Sequence, residues 1–262
     1  MSIKKYFFWN LILVTFLIKG MSQPYIDANG YQYTNEMEIQ NIRKIAILAY
    51  GSLVRQRENN QTHARLESTG FIPTEIYFPI SLTRQSKGPR LTAVIDIHGE
   101  PKRVWAATSK FTFLPNARNN VAAREGSPFK GHRKGYDLSN IFYIKKLLPG
   151  QKKDHNEAYI TGSSWVIRLP VNMQQENQFL DDNTVHDIIQ WAEQYSYSAV
   201  LWASFASNIS LNEAITKLLH NNNKLLKNTQ KYVRNLPDGA QSAFEHALLA
   251  GKKSLQSFAR NH

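Results

Sequence analysis

Cysteine is absent from the 262 residues of this chain. Its absence excludes disulfides, thiolate metal sites and cysteine nucleophiles, although it does not assign a redox compartment. The eight histidines, at 63, 98, 132, 155, 186, 220, 246 and 262, form no His-x-x-x-His pair or other ligand spacing, so no metal site is expected. No Gly-x-Ser-x-Gly elbow is present. The run Lys130-Gly131-His132-Arg133-Lys134-Gly135 matches neither a phosphate loop nor a dinucleotide fingerprint and reads as a basic loop. No fixed-period repeat appears. Acidic residues are scarce: 20 Asp and Glu face 32 Lys and Arg, giving a net charge of +12.

Long apolar runs are also missing, apart from one near the N-terminus. There Lys4 and Lys5 precede Leu11-Ile12-Leu13-Val14-Thr15-Phe16-Leu17-Ile18, a run too short for a comfortable transmembrane span. Gly20 and Ser22 put small residues at −3 and −1 of a cut before Gln23. Residues 1–22 therefore read as a candidate signal peptide, which implies a periplasmic or secreted protein. The alternatives are an uncleaved anchor or a true start at Met21, in which case the protein is cytoplasmic. Lys19, so close to the cut, is atypical of a signal.

With 42% hydrophobic and 20% charged residues and a mean hydropathy of −0.43, the chain has the composition of a globular domain rather than a membrane bundle or a disordered segment. Residues 23–42 are a polar lead-in. Strand patterns, rich in Ile, Val, Thr, Tyr and Trp, follow at 44–49, 75–82, 91–97, 103–109, 141–147, 158–168 and 199–203. Helical patterns occupy 116–125 and 182–195. Strands come mostly first and helices later, so the expected class is α+β. One domain is assigned to 43–209.

From about Ser210 the pattern becomes helical and basic. Leu211, Ala214, Ile215, Leu218 and Leu219 keep helical spacing, as do Phe244, Leu248, Leu255 and Phe258. Asn221-Asn222-Asn223 interrupts the first helix, and Pro237-Asp238-Gly239 separates it from the second. Residues 210–262 are thus expected to form a basic helical hairpin. Its charges are either a solvated helical face or a surface for weak contact with an anionic envelope. No aromatic residues alternate with them as a base-stacking platform would need, so specific nucleic-acid binding is not expected.

The most informative stretch is Ile45-Ala46-Ile47-Leu48-Ala49-Tyr50-Gly51-Ser52-Leu53. A run that is apolar at nearly every position reads as a strand buried on both faces. The Gly at its end permits a sharp turn and close approach to a ligand, with free N–H groups facing it. Downstream, Ala122-Ala123-Arg124-Glu125-Gly126 puts a lone Glu at the end of a helical pattern. A backbone anion cradle plus one carboxylate is a sufficient kit for chemistry on an amide. Arg124, adjacent to Glu125 on a helix, is expected to point elsewhere.

Tyr-Gly-Ser-Leu closing the first strand, followed later by Glu-Gly, resembles the gamma-glutamylcyclotransferase-like superfamily. Leu82-Thr83-Arg84-Gln85-Ser86, Arg90-Leu91-Thr92-Ala93-Val94-Ile95-Asp96, Val104-Trp105-Ala106 and Ala199-Val200-Leu201-Trp202-Ala203 resemble its bacterial members in order and spacing. The resemblance covers roughly residues 43–205 and does not reach the helical extension. It implies a mixed β-barrel of that type and a cofactor-independent reaction. In that reaction the α-amine of a γ-glutamyl group attacks its own γ-carbonyl, closes 5-oxoproline and expels the attached amine.

The resemblance also implies site residues. Glu125 would be the general acid/base. The backbone of Tyr50, Gly51, Ser52 and Leu53 would hold the substrate carboxylate or the oxyanion. Arg84 and Arg90 flank the loop after the second strand, and each is either a bidentate partner for a substrate carboxylate or a surface Arg. The expected partner is a small γ-glutamyl compound. The alternative is a binding or envelope interaction protein that keeps the same cradle without turnover. Neither the particular substrate nor the oligomeric state is legible in these residues.

Overall fold

The computed structural model describes residues 44–51, 53–54, 66–86, 88–125, 138–169, 180–220, 223–237 and 242–261, together with a short antiparallel pair, β1 (Tyr25–Ile26) and β2 (Gln32–Tyr33). That pair falls in the expected polar lead-in. The candidate signal 1–22, the basic loop 130–135, Ser52 and Gly126 lie outside the described residues.

The fold is α+β, built on one mixed sheet of eight strands. These are β3 (Ile45–Ala49), β4 (Ile72–Gln85), β5 (Leu91–Ile95), β6 (Glu100–Thr108), β7 (Ile141–Lys146), β8 (Glu157–Tyr159), β9 (Trp165–Arg168) and β10 (Ala199–Ala203). Their order is β5-β4-β6-β3-β10-β7-β9-β8. β3 and β10, side by side at the centre, are parallel, with Ile47 opposite Leu201, and every other neighbouring pair is antiparallel. Central strands have no solvent face, which is why Ile45–Ala49 and Ala199–Ala203 are apolar throughout. The pattern expected over 158–168 is two strands, β8 and β9, joined by a turn in which Gly162 adopts φ 73°.

Each sheet face carries one helix. α1 (Leu114–Arg124) lays Ala117, Val121 and Ala122 against Ile45, Ile47, Ala49 and Leu201. α2 (Asp182–Gln194) lays Val185, Ile188, Ile189 and Ala192 against Ala46, Leu48, Val200 and Trp202 on the other face. Alternation along β3 thus sends successive side chains into two separate cores. Asp181 caps α2 by accepting from the Thr184 N–H at 2.7 Å.

Among its described residues the extension holds four helices rather than two: α3 (Leu211–His220), α4 (Asn223–Arg234), α5 (Ala243–Ala250) and α6 (Lys252–Asn261). Gly251, at φ 105°, splits the expected second helix, because that backbone conformation ends α5. Leu218, Leu225, Val233, Phe244, Leu248 and Leu255 pack into a third core that also takes in Leu82 of β4 and Leu91 of β5. Ser242 and Glu245 form a capping box at the start of α5. The buried Glu245 carboxylate also pairs with Lys102 of β6. Lys224, Lys227, Lys231 and Arg234 lie along the exposed side of α4.

The eight-stranded sheet is open and does not close into a barrel. Its β5 edge is finished by side chains instead of a strand. The Leu91 N–H donates to Thr229 Oγ1 at 3.0 Å, and the Ala93 N–H donates to the Tyr232 hydroxyl at 3.2 Å. Thr229 and Tyr232 are one helical turn apart on α4, so that helix occupies the space along the edge where a further strand would pair.

Candidate active site

The chain leaves β3 at Tyr50, whose side chain fixes the following turn. Its hydroxyl donates to the Ala203 carbonyl at the end of β10 at 2.8 Å, and its ring is tilted against Phe78 with centroids 6.0 Å apart. Burial, and next the negative charge of Glu125, push its pKa far up, so Tyr50 stays a neutral phenol. Its hydroxyl thereby ties the end of β3 to the end of β10. Val54 N–H closes the turn onto the Gly51 carbonyl at 3.2 Å. No carbonyl or side chain among the described residues accepts from the N–H of Gly51 or Leu53 outside the strand ladders. Leu53 itself is 6% exposed and packs with Val54 and Leu66, so only its backbone is available to a ligand.

Gly51 is required for close approach rather than for a left-handed backbone. A Cβ added there would lie 3.3 Å from the Tyr232 hydroxyl, closer than ordinary contact. The turn after β3 and helix α4 therefore meet at Gly51.

Glu125 caps the C-terminal end of α1 in right-handed helical conformation, and its N–H bonds back to Val121 at 2.9 Å. Its carboxyl has no hydrogen-bond partner among the described residues. Burial pushes its pKa up, and Arg124 and then Arg84 oppose the shift. The negative end of the α1 dipole acts in the same direction as burial. Arg124 also bears on Glu125 through its charge. It is buried, and its charge acts on Glu125 more than that of Arg84 does, even though the two residues are adjacent in the chain.

Arg84 reaches this region because β4 is irregular. The register with β5 slips between Ser81, opposite Val94, and Arg84, opposite Thr92, so three steps on β4 match two on β5. A bulge of this kind bends a strand and re-aims its side chains. Arg84 Nη1 donates to the Ala206 carbonyl at 3.1 Å, and the guanidinium lies over the Phe205 ring, 4.7 Å from its centroid. Burial lowers its pKa, while Tyr50 and Glu125 push it back up. Arg84, Tyr50 and Glu125 thus lie within range of one another's charge. Arg90 behaves differently: it is exposed and lies over the Tyr232 ring, 5.3 Å from its centroid, and its charge does not enter the shift of Glu125.

Tyr232 had no place among the residues expected from sequence. Its pKa is pushed up to about 12, first by burial and further by Glu125 and Glu245, against the lowering effect of the Ala93 hydrogen bond and of Arg90. A signal does exist in the sequence. Thr229 and Tyr232 are hydroxyl side chains on the apolar face that α4 shares with Leu225, Leu226 and Val233. Buried hydroxyls need partners, but helical spacing does not name them.

Among the described residues no three His, Cys, Asp or Glu side chains are grouped to hold a metal ion, and no helix is long and apolar enough to cross a membrane. Comparison with protein-family models, with curated proteins and with solved structures found no match. What the turn brings together is one carboxyl of raised pKa, two guanidinium groups, two neutral phenols and backbone N–H groups with no acceptor among the described residues. Such a set suits proton transfer beside a carbonyl or carboxylate group.

Proposed function

We propose that the chain is an amide cyclase of the gamma-glutamylcyclotransferase type, which releases 5-oxoproline from a γ-glutamyl compound. One observation carries this reading. A half-buried carboxyl of raised pKa, with no hydrogen-bond partner among the described residues, lies within charge range of the Tyr50 phenol that opens the turn. Glu125 takes a proton from the substrate α-ammonium. The freed amine forms a C–N bond to the γ-carbonyl carbon, and the carbonyl becomes an oxyanion facing the N–H groups of the turn. Collapse breaks the original amide C–N bond as Glu125 returns the proton to the departing nitrogen, and the second proton of the ring nitrogen passes to the expelled amine, leaving the neutral lactam and an ammonium. The nucleophile is tethered to its electrophile, so the substrate itself supplies much of the proximity. A carboxyl of raised pKa suits both transfers, because it holds the proton strongly enough to accept it and weakly enough to return it.

Arg84 is the partner proposed for the substrate carboxylate, since of the two candidate arginines it alone interacts with Glu125 and Tyr50. The test is a panel of γ-glutamyl amino acids, γ-glutamyl amines and glutathione, assayed for 5-oxoproline release. Release from at least one member is expected. Binding without release would instead make the chain a γ-glutamyl-binding protein.

A further inference from the structure

We infer that the Tyr232 hydroxyl, carried by α4 of the C-terminal extension, donates a hydrogen bond to the anionic group of the ligand held at the Gly51 turn. The extension is then part of the binding site. This rests on the cyclase reading of that turn.

Three observations carry it. The first is position. The Tyr232 hydroxyl stands 3.3 Å from where a Gly51 Cβ would be, so it adjoins the Gly51 backbone, part of the turn proposed to face the substrate. The second is hydrogen-bond capacity. A phenol accepts and donates; Tyr232 accepts from the Ala93 N–H at 3.2 Å, and its own proton has no acceptor among the described residues. The third is charge. Burial and Glu125 both keep the phenol protonated. A neutral donor can hold an anion beside Glu125 without lowering the basicity of that carboxyl, as a further Lys or Arg would.

Thr229 provides a structural twin. One turn away on α4 it caps the Leu91 N–H as Tyr232 caps Ala93, but its hydroxyl proton is already donated to the Leu225 carbonyl at 2.8 Å. A residue that only finishes the sheet edge should behave like Thr229.

The experiment compares Tyr232→Phe and Thr229→Val in the full chain. It measures steady-state rates on the best substrate of the γ-glutamyl panel, calorimetric affinity for 5-oxoproline, and melting temperature. Both variants should melt earlier. Only Tyr232→Phe should raise KM and weaken 5-oxoproline binding, by about tenfold or more, as expected when a hydrogen bond to a charged group is lost. Its kcat should stay within about threefold, because a bond made equally before and during reaction leaves kcat unchanged. Wild-type KM and 5-oxoproline affinity in Tyr232→Phe would overturn the inference. If that variant does not fold, a fluorotyrosine placed at 232 keeps the hydroxyl. Its fluorine resonance must then move on saturation with 5-oxoproline, and a fixed resonance overturns the inference. Wild-type protein that neither binds nor cyclises any panel member would remove the cyclase reading and this inference together. An active wild type with an indifferent Tyr232→Phe would remove this inference alone.

Discussion

Two glutamates, one buried on the sheet and one half-buried at a helix end, have opposite surroundings. Glu157, at the start of β8, is 1% exposed and fully engaged. It accepts from the Tyr143 hydroxyl at 2.6 Å and from the Asp154 N–H at 2.9 Å, and it pairs with Lys145 at 3.0 Å. Glu125, at the end of α1, has no hydrogen bond among the described residues, and burial pushes its pKa up. Glu245 in the extension belongs with Glu157, since a capping box and Lys102 hold it. A carboxylate whose lone pairs are filled by fixed donors is part of the architecture. One that is partly desolvated without them is left with a perturbed pKa that chemistry can use. The contrast locates the candidate site more sharply than exposure does.

The largest expected effect separates the two glutamates by function. Glu125→Gln keeps the shape but removes the base, and should lower 5-oxoproline release by about a hundredfold or more. Unchanged release would refute the role given to Glu125. Glu157→Ala should leave turnover per folded molecule near wild type. It should instead lower stability by about 3 kcal/mol in urea denaturation, because Lys145 keeps only Asp154 as partner. A loss of turnover there, with stability intact, would erase the comparison.

A subtler effect has a definite sign. Burial raises Glu125 above its ordinary value of 4.5, so the folded chain holds a proton that the unfolded chain releases. Below 4.5 both states are protonated and the group is neutral in each. As pH rises from there through the raised value, the unfolded state binds fewer protons than the folded one, and stability falls. Glu125→Gln does not titrate. Its stability relative to wild type should therefore grow across that window and level off above it, as read from urea midpoints at successive pH values. A difference independent of pH would mean that the carboxyl is not perturbed in solution.

The smallest change concerns where the chain begins. If residues 1–22 are a signal, N-terminal mass spectrometry of protein from its native host should find a start at or near Gln23. An intact Met1, or a cytoplasmic start at Met21, would end the export reading and leave the folded comparison untouched.

Much of the architecture was legible in local pattern. Every strand pattern from 44–49 to 199–203 corresponds to strands of the sheet, and both helical patterns to α1 and α2. The period of apolar side chains is set by backbone geometry, so it survives into the fold. Where breakers act through conformation, the boundaries were less legible. Gly162 and Gly251 take positive φ and divide segments whose composition alone looks continuous. The Tyr50-Gly51 turn and Glu125 likewise stood out, since an apolar run ending in Gly and a lone Glu ending a helix are local features.

The one-dimensional pattern determined the α+β class, the doubly buried central strand and the basic, amphipathic character of the extension. Tertiary structure alone decided which hydroxyls meet which backbone groups. Nothing in residues 223–234 says that Thr229 and Tyr232 finish the edge of β5, that the sheet stays open there, or that Tyr232 reaches Gly51. It also decided between the arginines: a one-residue bulge carries Arg84 toward Glu125, while Arg90 lies over the ring of Tyr232. The physical reason is range. Periodicity and propensity act over a few neighbouring residues, whereas a side chain's charge partners and the pKa they set depend on groups brought together only when distant segments pack.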